Sequence, residues 1–174
     1  EGERPEEQSK CWNVSAGVGG AVAGPVAGPL GLSLSGGQAL GFSYEGSLLD
    51  SRFFWQTQAS VMAGTGIFAG VGFSGQYGQG PVPSTITTTT SWHTEVNVGA
   101  GLGASATVDI APSGSSVGGY SGRLPGGRAG FAAGAAAGTG ASTTTTIPSI
   151  TIGDMLRAFP VIGSLVLSPA GGGC

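Results

Sequence analysis

The sequence predicts an all-β domain, an antiparallel and glycine-rich meander that forms a small barrel or a sandwich, with one short helix near the C-terminus. Three observations lead to this fold class. Apolar residues alternate with small or polar ones at a period of two, as in strands whose two faces meet different surroundings. Segments rich in Gly and Pro separate the alternating runs. Glycine accounts for 36 of 174 residues, without the strict repeat of collagen.

The clearest alternation is "TEVNVGAGLGASATVDI", residues 94–110. One face is mainly apolar, and the other is nearly bare of side chains. The apolar face carries Thr94, Val96, Val98, Ala100, Leu102, Ala104, Ala106, Val108 and Ile110, and the bare face carries Glu95, Asn97, Gly99, Gly101, Gly103, Ser105, Thr107 and Asp109. Glycine weakens a strand, so a glycine face is expected where another backbone packs closely or inside a small barrel. The apolar face then meets a core, lipid or a neighbouring subunit, and a soluble core is the default interpretation.

The same pattern predicts about six to nine strands in all. Further strands are expected at 11–18, 30–35, 40–44, 53–77 with a bend near 64–66, 127–146 and 161–168. Turns are expected at 24–29, 35–37, 78–83, 111–119 and 123–127. The segment "GDMLRAF", 153–159, is the expected helix, which Pro160 ends. Glycines at 126, 130, 134 and 138 would form a close-packing ridge if that segment were helical instead.

Charge is scarce and unevenly distributed. Charged residues make up 9% of the chain, against roughly 25% in an ordinary soluble domain. Residues 1–10 are rich in charge and are expected to form a polar N-terminal arm, and residues 11–174 a single glycine-rich β domain. The net charge of −3 and the scattered arginines argue against nucleic acid as a partner, because phosphate binding needs clustered Lys and Arg.

The two cysteines, Cys11 and Cys174, stand at the two ends of the expected domain. Because the termini of a compact domain often lie close together, a disulfide between them is one interpretation, and two unrelated thiols are the other. Such a bond would stabilise the fold by roughly 4–5 kcal/mol in the chain-entropy model. A secretory signal is not visible at the acidic N-terminus. We expect a mature or cleaved product that is secreted or extracellular.

Catalytic constellations are rare in this sequence. The single histidine, His93, lies two positions from Glu95 on one strand face. The pair fits either a general-base couple or an exposed strand pair, and the second is the preferred interpretation. The spacing of His, Cys and carboxylates matches no metal site, and the glycine-rich stretches match no nucleotide motif. We therefore expect a protein that is not an enzyme and that has no catalytic residues, no metal and no small-molecule cofactor.

A membrane role is the alternative to a soluble core. The chain has no apolar run of about 20 residues that could form a spanning helix, but a strand needs only about 9–11 residues with one lipid-facing side. Segments 53–62 and 96–110 meet that pattern. Aromatic residues serve either as interface anchors or as core filling. The residues expected at a membrane or subunit interface are Phe53, Phe54, Trp55, Trp92, Val96, Val98 and Leu102.

Four segments, "CWNVSAGVGGAVAGP", "IFAGVGFSGQYGQGP", "VNVGAGLGASATVD" and "GRAGFAAGAAAGTG", carry a resemblance to a known family. In texture they resemble the variable C-terminal modules of Rhs/YD-repeat polymorphic toxins. The resemblance implies a module that is released from a larger shell and delivered to rival cells, where some members of this class attack membranes. The threonine-rich "STITTTTSWHTEVNVGAG" also resembles the amphipathic insertion hairpins of β-pore-forming toxins.

These observations lead to two functional hypotheses and a simpler third. The first is a non-enzymatic, toxin-type module that inserts in or assembles on a membrane, either forming pores or disrupting the bilayer. The second is an extracellular structural subunit that assembles with copies of itself into a fibre or coat through small-residue β faces. The third is a soluble binding module. The expected partners are membrane lipid or further copies of the chain.

Overall fold

The computed structural model describes residues 11–110 and 123–159, and in them it confirms the all-β prediction. Five antiparallel strands form one sheet, and a short helix follows the last strand. The elements are β1 (Cys11–Ala27), β2 (Leu30–Glu45), β3 (Arg52–Gln79), β4 (Thr87–Ile110), β5 (Arg123–Thr151) and α1 (Ile152–Arg157). The expected arm at 1–10, the turn at 111–119 and the strand at 161–168 lie outside the described residues.

The sheet folds around the β1–β2 hairpin because both of its strands pair with the same edge of β3. The first part of β3 pairs with β2, where Phe53 is opposite Phe42. The last part of β3 pairs with β1, where Tyr77 is opposite Val14. Strand β5 follows the other edge of β3, and β4 pairs with the far edge of β5. Strands β3 and β5 therefore each contribute two pairing segments to the sheet.

Strand β4 also folds back on itself. His93 and Asp109 are 16 residues apart, which would separate them by about 50 Å on a straight strand. Their side chains nevertheless form a hydrogen bond, and a Cβ on Gly103 would lie 2.7 Å from the carbonyl oxygen of Val98. The first arm of β4 (87–99) and its second arm (103–110) therefore lie side by side. Their contact brings the two margins of the sheet together, and the sheet closes into a small barrel.

Four glycines with positive φ lie at one end of this barrel. Gly66, Gly101 and Gly134 have φ of +105°, +94° and +98° where β3, β4 and β5 bend, and Gly28 has φ of +58° in the β1–β2 turn. Such angles are accessible to glycine and are strained for other residues. We call this the closed end, and the end with loops 46–51 and 80–86 and helix α1 the open end. The bend expected near 64–66 is confirmed.

Two predicted turns were wrong. Residues 35–37 lie within β2, where Gly36 and Gly37 pair regularly with Gly20 and Gly19. Residues 123–127 lie within β5. The alternative of a helical glycine ridge at 126–138 was wrong as well, since that segment pairs with β3 and β4 as a strand. In these segments glycine makes room inside the barrel rather than turning the chain, a distinction that local composition does not carry.

Helix α1 confirms the predicted helix with shifted bounds. It begins one residue before the predicted start at 153 and ends two residues before the predicted end at 159. The Oγ1 atom of Thr151 accepts a hydrogen bond of 3.1 Å from the backbone N–H of Asp154, which makes Thr151 the N-cap. Asp154 stands in the first turn and Arg157 in the last, the charge order that the helix dipole favours. The backbone N–H of Gly153 donates to the carbonyl of Leu49. The helix is therefore attached at the open end.

The barrel places its small and polar face inside and its large apolar face outside. Towards the closed end the interior holds an apolar cluster of Ala21, Phe68 and Ala136. Towards the open end, the ring of Phe54 lies on Gly41. Many large apolar side chains are exposed, among them Val22, Leu34, Val61, Val71, Phe73, Val98, Leu102 and Phe131. A soluble core within this chain, the default interpretation of the apolar face, was therefore wrong.

Candidate functional site: an apolar outer surface around a polar interior

The outer surface of the barrel includes six of the seven residues that the sequence marks as interface contacts. Exposed on it are Phe53, Trp55, Trp92, Val96, Val98 and Leu102. The seventh, Phe54, is buried in the interior, because its position on β3 has the opposite parity to Phe53 and Trp55. It therefore does not belong to the outer surface. Among the most exposed large side chains are Phe73 at 78%, Leu102 at 75% and Phe131 at 73%.

The described charged side chains lie in the interior or at the open end, and not on the sides of this outer surface. Among the charged residues whose side chains the structure describes, three point inward, namely Glu95, Asp109 and Arg128. The others lie at the open end, namely Glu45, Asp50, Arg52, Asp154 and Arg157. An uncharged apolar wall thus encloses a charged interior.

His93 occupies the centre of the interior charge cluster. Its Nδ1 lies 2.5 Å from Asp109 Oδ1, and its Nε2 lies 3.1 Å from Glu95 Oε2. All three side chains are almost fully buried. An ionised carboxylate only accepts hydrogen bonds, so both ring nitrogens must donate, which requires the imidazolium form. The expectation of an exposed His93–Glu95 pair was therefore wrong, because the fold-back of β4 places both residues inside the barrel.

The carboxylate of Asp109 accepts hydrogen bonds from both segments of β3 as well as from His93. Its Oδ2 accepts hydrogen bonds from Gln58 Nε2 at 3.0 Å and Gln76 Nε2 at 3.3 Å. Gln58 and Gln76 belong to the two segments of β3. Gln58 Nε2 also donates to Ser142 Oγ of β5 at 2.9 Å. Asp109 therefore connects β4 to both segments of β3.

Glu95 pairs with a second cation. Arg128 Nη2 donates to Glu95 Oε1 at 2.8 Å and to Asn97 Oδ1 at 3.2 Å, and the hydroxyl of Ser35 on β2 also bonds to Glu95. The cluster holds two carboxylates, one guanidinium and one imidazolium, so its formal charge is zero. Buried charges are tolerated when they are paired and hydrogen-bonded in this way.

A cavity of about 70 Å³ adjoins the cluster. Its wall includes His93, Glu95, Arg128 and Gln56, together with glycines of β2 and β5. This volume has room for several water molecules at about 10–15 Å³ each. The glycine face found in the sequence thus makes room for polar side chains and for this cavity.

The cluster offers little for nucleophilic catalysis. A triad histidine contacts a nucleophile with one ring nitrogen and a carboxylate with the other. Here both nitrogens of His93 contact carboxylates. Within the described ranges, no group of three or more His, Cys, Asp or Glu side chains is arranged to hold a metal ion.

Sequence reasoning missed the charge cluster. The positions of His93, Glu95 and Asp109 share one parity on β4, so the alternation already places the three side chains on one face. Contact between His93 and Asp109 depends on the fold-back at Gly101, where the sequence has a glycine but no recognisable turn motif. Arg128 was not singled out because it lies within an alanine- and glycine-rich segment.

Cys11 is buried at the start of β1. Its expected partner, Cys174, lies outside the described residues. The disulfide therefore stays a prediction.

Comparisons with known proteins leave the resemblance untested. The chain matches no protein-family model, no curated protein and no solved structure. Among the described residues, no helix has the length and hydropathy needed to cross a bilayer.

Proposed function

We propose that this chain is a non-enzymatic membrane module of the toxin type, and that its apolar outer surface contacts lipid acyl chains. The observation that carries the proposal is the inverted distribution of polarity, with paired charges inside and large apolar side chains outside. A half-exposed antiparallel sheet in water directs its apolar face to a core and its polar face to solvent. An extended apolar surface marks an interaction site, and strands that face lipid have this inside-out alternation.

The outer sides of the described strands carry no charge, which favours lipid over a soluble protein as the first candidate partner. Interfaces between soluble proteins usually carry a polar rim around their apolar centre. Here the exposed apolar residues lie on all five strands, for example Val18, Leu34, Val71, Val98 and Phe131. Lipid that surrounds the barrel on all sides fits this distribution better than a protein partner that covers one face.

The interior is suited to stability rather than to conduction by a single copy. Ala21, Phe68 and Ala136 fill the barrel beneath the closed end, and Val82 is buried near the open end. In barrels of this size the interior is filled by side chains. We therefore propose that any leakage arises from several assembled copies or from disruption of the bilayer.

Vesicle flotation tests the proposal directly. The protein is mixed with neutral phosphatidylcholine vesicles, and the fraction that floats with lipid is measured for the natural chain, for Phe73→Lys and for Leu48→Lys. Phe73 is 78% exposed on a strand, and Leu48 is 62% exposed in the loop at the open end. A lysine near the middle of a lipid-facing strand costs about 2–4 kcal/mol, and near the interface about 0–1 kcal/mol.

We expect Phe73→Lys to weaken vesicle binding by about 30-fold or more, and Leu48→Lys to leave it nearly unchanged. Circular dichroism confirms that each variant keeps its strand content. A folded natural chain that stays with the soluble fraction would exclude the proposal. Release of an encapsulated dye, measured on the same samples, separates membrane disruption from binding without leakage.

Self-assembly is the second candidate function. It is favoured by threonine pairs exposed between β4 and β5, where Thr88 Oγ1 lies 3.0 Å from Thr145 Oγ1 and Thr94 Oγ1 lies 3.1 Å from Thr139 Oγ1. Such regular, uncharged faces allow close stacking of sheets. Electron microscopy of concentrated protein without lipid tests this function. Fibres or regular layers would support it, and a monomer at every concentration would contradict it.

A further inference from the structure

We infer that the barrel enters a bilayer from one side, closed end first, and that its open end remains at the water interface on the side of entry. This inference rests on the proposed function and adds the direction of insertion to it. Three independent features of the structure point in the same direction: the placement of charge, the placement of tryptophan and tyrosine, and the position of the loops.

The two ends of the barrel differ in charge. The open end carries the ion pair between Arg52 Nε and Glu45 Oε1 at 3.1 Å, and the pair between Arg157 and Asp154 on α1. Burial raises the pKa of Glu45, and the charge and hydrogen bonds of Arg52 offset part of that rise. The closed end, comprising 24–31, 63–68, 99–103 and 132–137, contains no charged residue. Only the closed end can therefore enter hydrocarbon without desolvating charge on its surface.

Trp12, Trp55, Tyr44 and Tyr77 form an aromatic belt near the open end, whereas Trp92 lies midway along the first arm of β4. Trp12 and Tyr44 stack with ring centroids 5.7 Å apart, and Phe42 and Phe53 meet at 5.4 Å. Tyr77 and Trp55 lie near opposite ends of β3, both of which are at the open end. Towards the closed end the large outward residues are aliphatic or Phe, as in Val22, Leu32, Ile67, Val71, Leu102 and Phe131. Trp and Tyr favour the membrane interface, whereas aliphatic side chains favour its interior.

The apolar height of the barrel matches a bilayer. Twelve residues separate Trp55 in the belt from Ile67 at the closed end. They span about 40 Å along the strand, or about 30 Å along the barrel axis at a strand tilt of about 40°. The hydrocarbon core of a bilayer is about 30 Å thick. With the belt at one interface, the closed end therefore lies deep in the bilayer or at its far side.

The described loops lie at one end only. Connections 46–51 and 80–86, helix α1 and the points where the chain leaves the described ranges at Ile110 and Arg123 all lie at the open end. At the closed end the chain makes the turn after Ala27 and the glycine bends of β3, β4 and β5. Entry by the closed end thus carries no hydrophilic loop across the membrane.

Tryptophan fluorescence tests the direction of entry. Protein is added to the outside of preformed phosphatidylcholine vesicles, and iodide is then added outside as a quencher that does not cross the bilayer. Trp12 and Trp55 report on the open end in a Trp92→Phe variant, because Trp92 lies in the middle of the first arm of β4. The closed end is reported by a variant in which Trp12, Trp55 and Trp92 are all replaced by Phe and Ile67→Trp is introduced. If that variant does not fold, Leu102→Trp is used in place of Ile67→Trp.

We expect external iodide to quench Trp12 and Trp55 of vesicle-bound protein, and to quench the closed-end tryptophan several-fold less. Equal quenching at both ends would mean that the barrel lies on the membrane surface. Stronger quenching at the closed end would mean the opposite direction of entry. Either result overturns the inference while flotation still supports the proposed function. Absence of flotation removes the proposed function itself, so the two failures are distinguishable.

Discussion

His93 and Asp109 join the two arms of β4 from inside the barrel, with 2.5 Å between Nδ1 and Oδ1. This bond crosses the line where the two margins of the sheet meet, and Gln58 and Gln76 extend it to both segments of β3. Elsewhere around the barrel, backbone hydrogen bonds connect neighbouring strands. The buried ion pair therefore reinforces the closure of the sheet.

Removal of the imidazolium should destabilise the barrel strongly. In His93→Ala the carboxylates of Glu95 and Asp109 stay buried after losing the cation between them. Breaking a buried pair by removing one partner costs about 3–5 kcal/mol. We expect a loss of that size in the free energy of unfolding, measured by urea denaturation and followed by circular dichroism.

The matched control for His93→Ala is Thr90→Ala, a substitution on the outer face of the same arm of β4. It should change the free energy of unfolding by about 0.5 kcal/mol or less, as expected for an exposed site. Equal effects of the two substitutions would show that the interior cluster does not stabilise the fold.

The packing of Phe54 on Gly41 gives a second prediction. A Cβ on residue 41 would collide with the ring of Phe54, so Gly41→Ala should destabilise the barrel by about 1–3 kcal/mol through overpacking. The smaller side chain of Phe54→Leu should relieve that collision. In a double-mutant cycle by urea unfolding, we expect Gly41→Ala to cost less in the Phe54→Leu background. Strict additivity would contradict the contact.

The sequence was sufficient to predict the alternation of faces, but not which face points inward. In β4 the period of a strand predicts that Glu95 and Val96 lie on opposite faces, and the structure confirms it. Which of the two faces points inward depends on the environment of the assembled sheet. A sheet built around a soluble core would bury Val96, whereas this barrel exposes Val96 and buries Glu95.

The charge cluster was beyond prediction for a different reason. His93 and Asp109 meet only because β4 folds back. Arg128 reaches Glu95 for the same reason, since Arg128 pairs with Ser105 on the second arm of β4 and Glu95 lies on the first arm. These are long-range contacts between segments that are not adjacent in sequence. Local patterns specify which face each residue occupies, and the pairing register then decides which residues become neighbours.

The proposed disulfide gives a third prediction. If Cys11 and Cys174 are bonded, the non-reduced protein resists alkylation by iodoacetamide, and reduction makes two thiols reactive; mass spectrometry counts the modified thiols. The reduced protein should then be less stable to urea by roughly 4–5 kcal/mol, because the bond closes nearly the whole chain. Alkylation of both thiols without reduction, in protein prepared under oxidising conditions, would contradict the bond.

Gly101 gives the last prediction. Its substitution by alanine separates the energetic effect of backbone conformation from that of packing. A Cβ at Gly101 would meet no atom within 4 Å, and the same holds at Gly24. The two glycines differ in backbone conformation, since Gly101 has φ of +94° and Gly24 does not have a positive φ. We therefore expect Gly101→Ala to lower the free energy of unfolding by about 1–3 kcal/mol through strain alone. Gly24→Ala should be neutral or slightly stabilising, because alanine restricts the unfolded chain.

Urea unfolding of both variants measures the difference. Equal effects would mean that the fold-back of β4 does not depend on the left-handed conformation at Gly101.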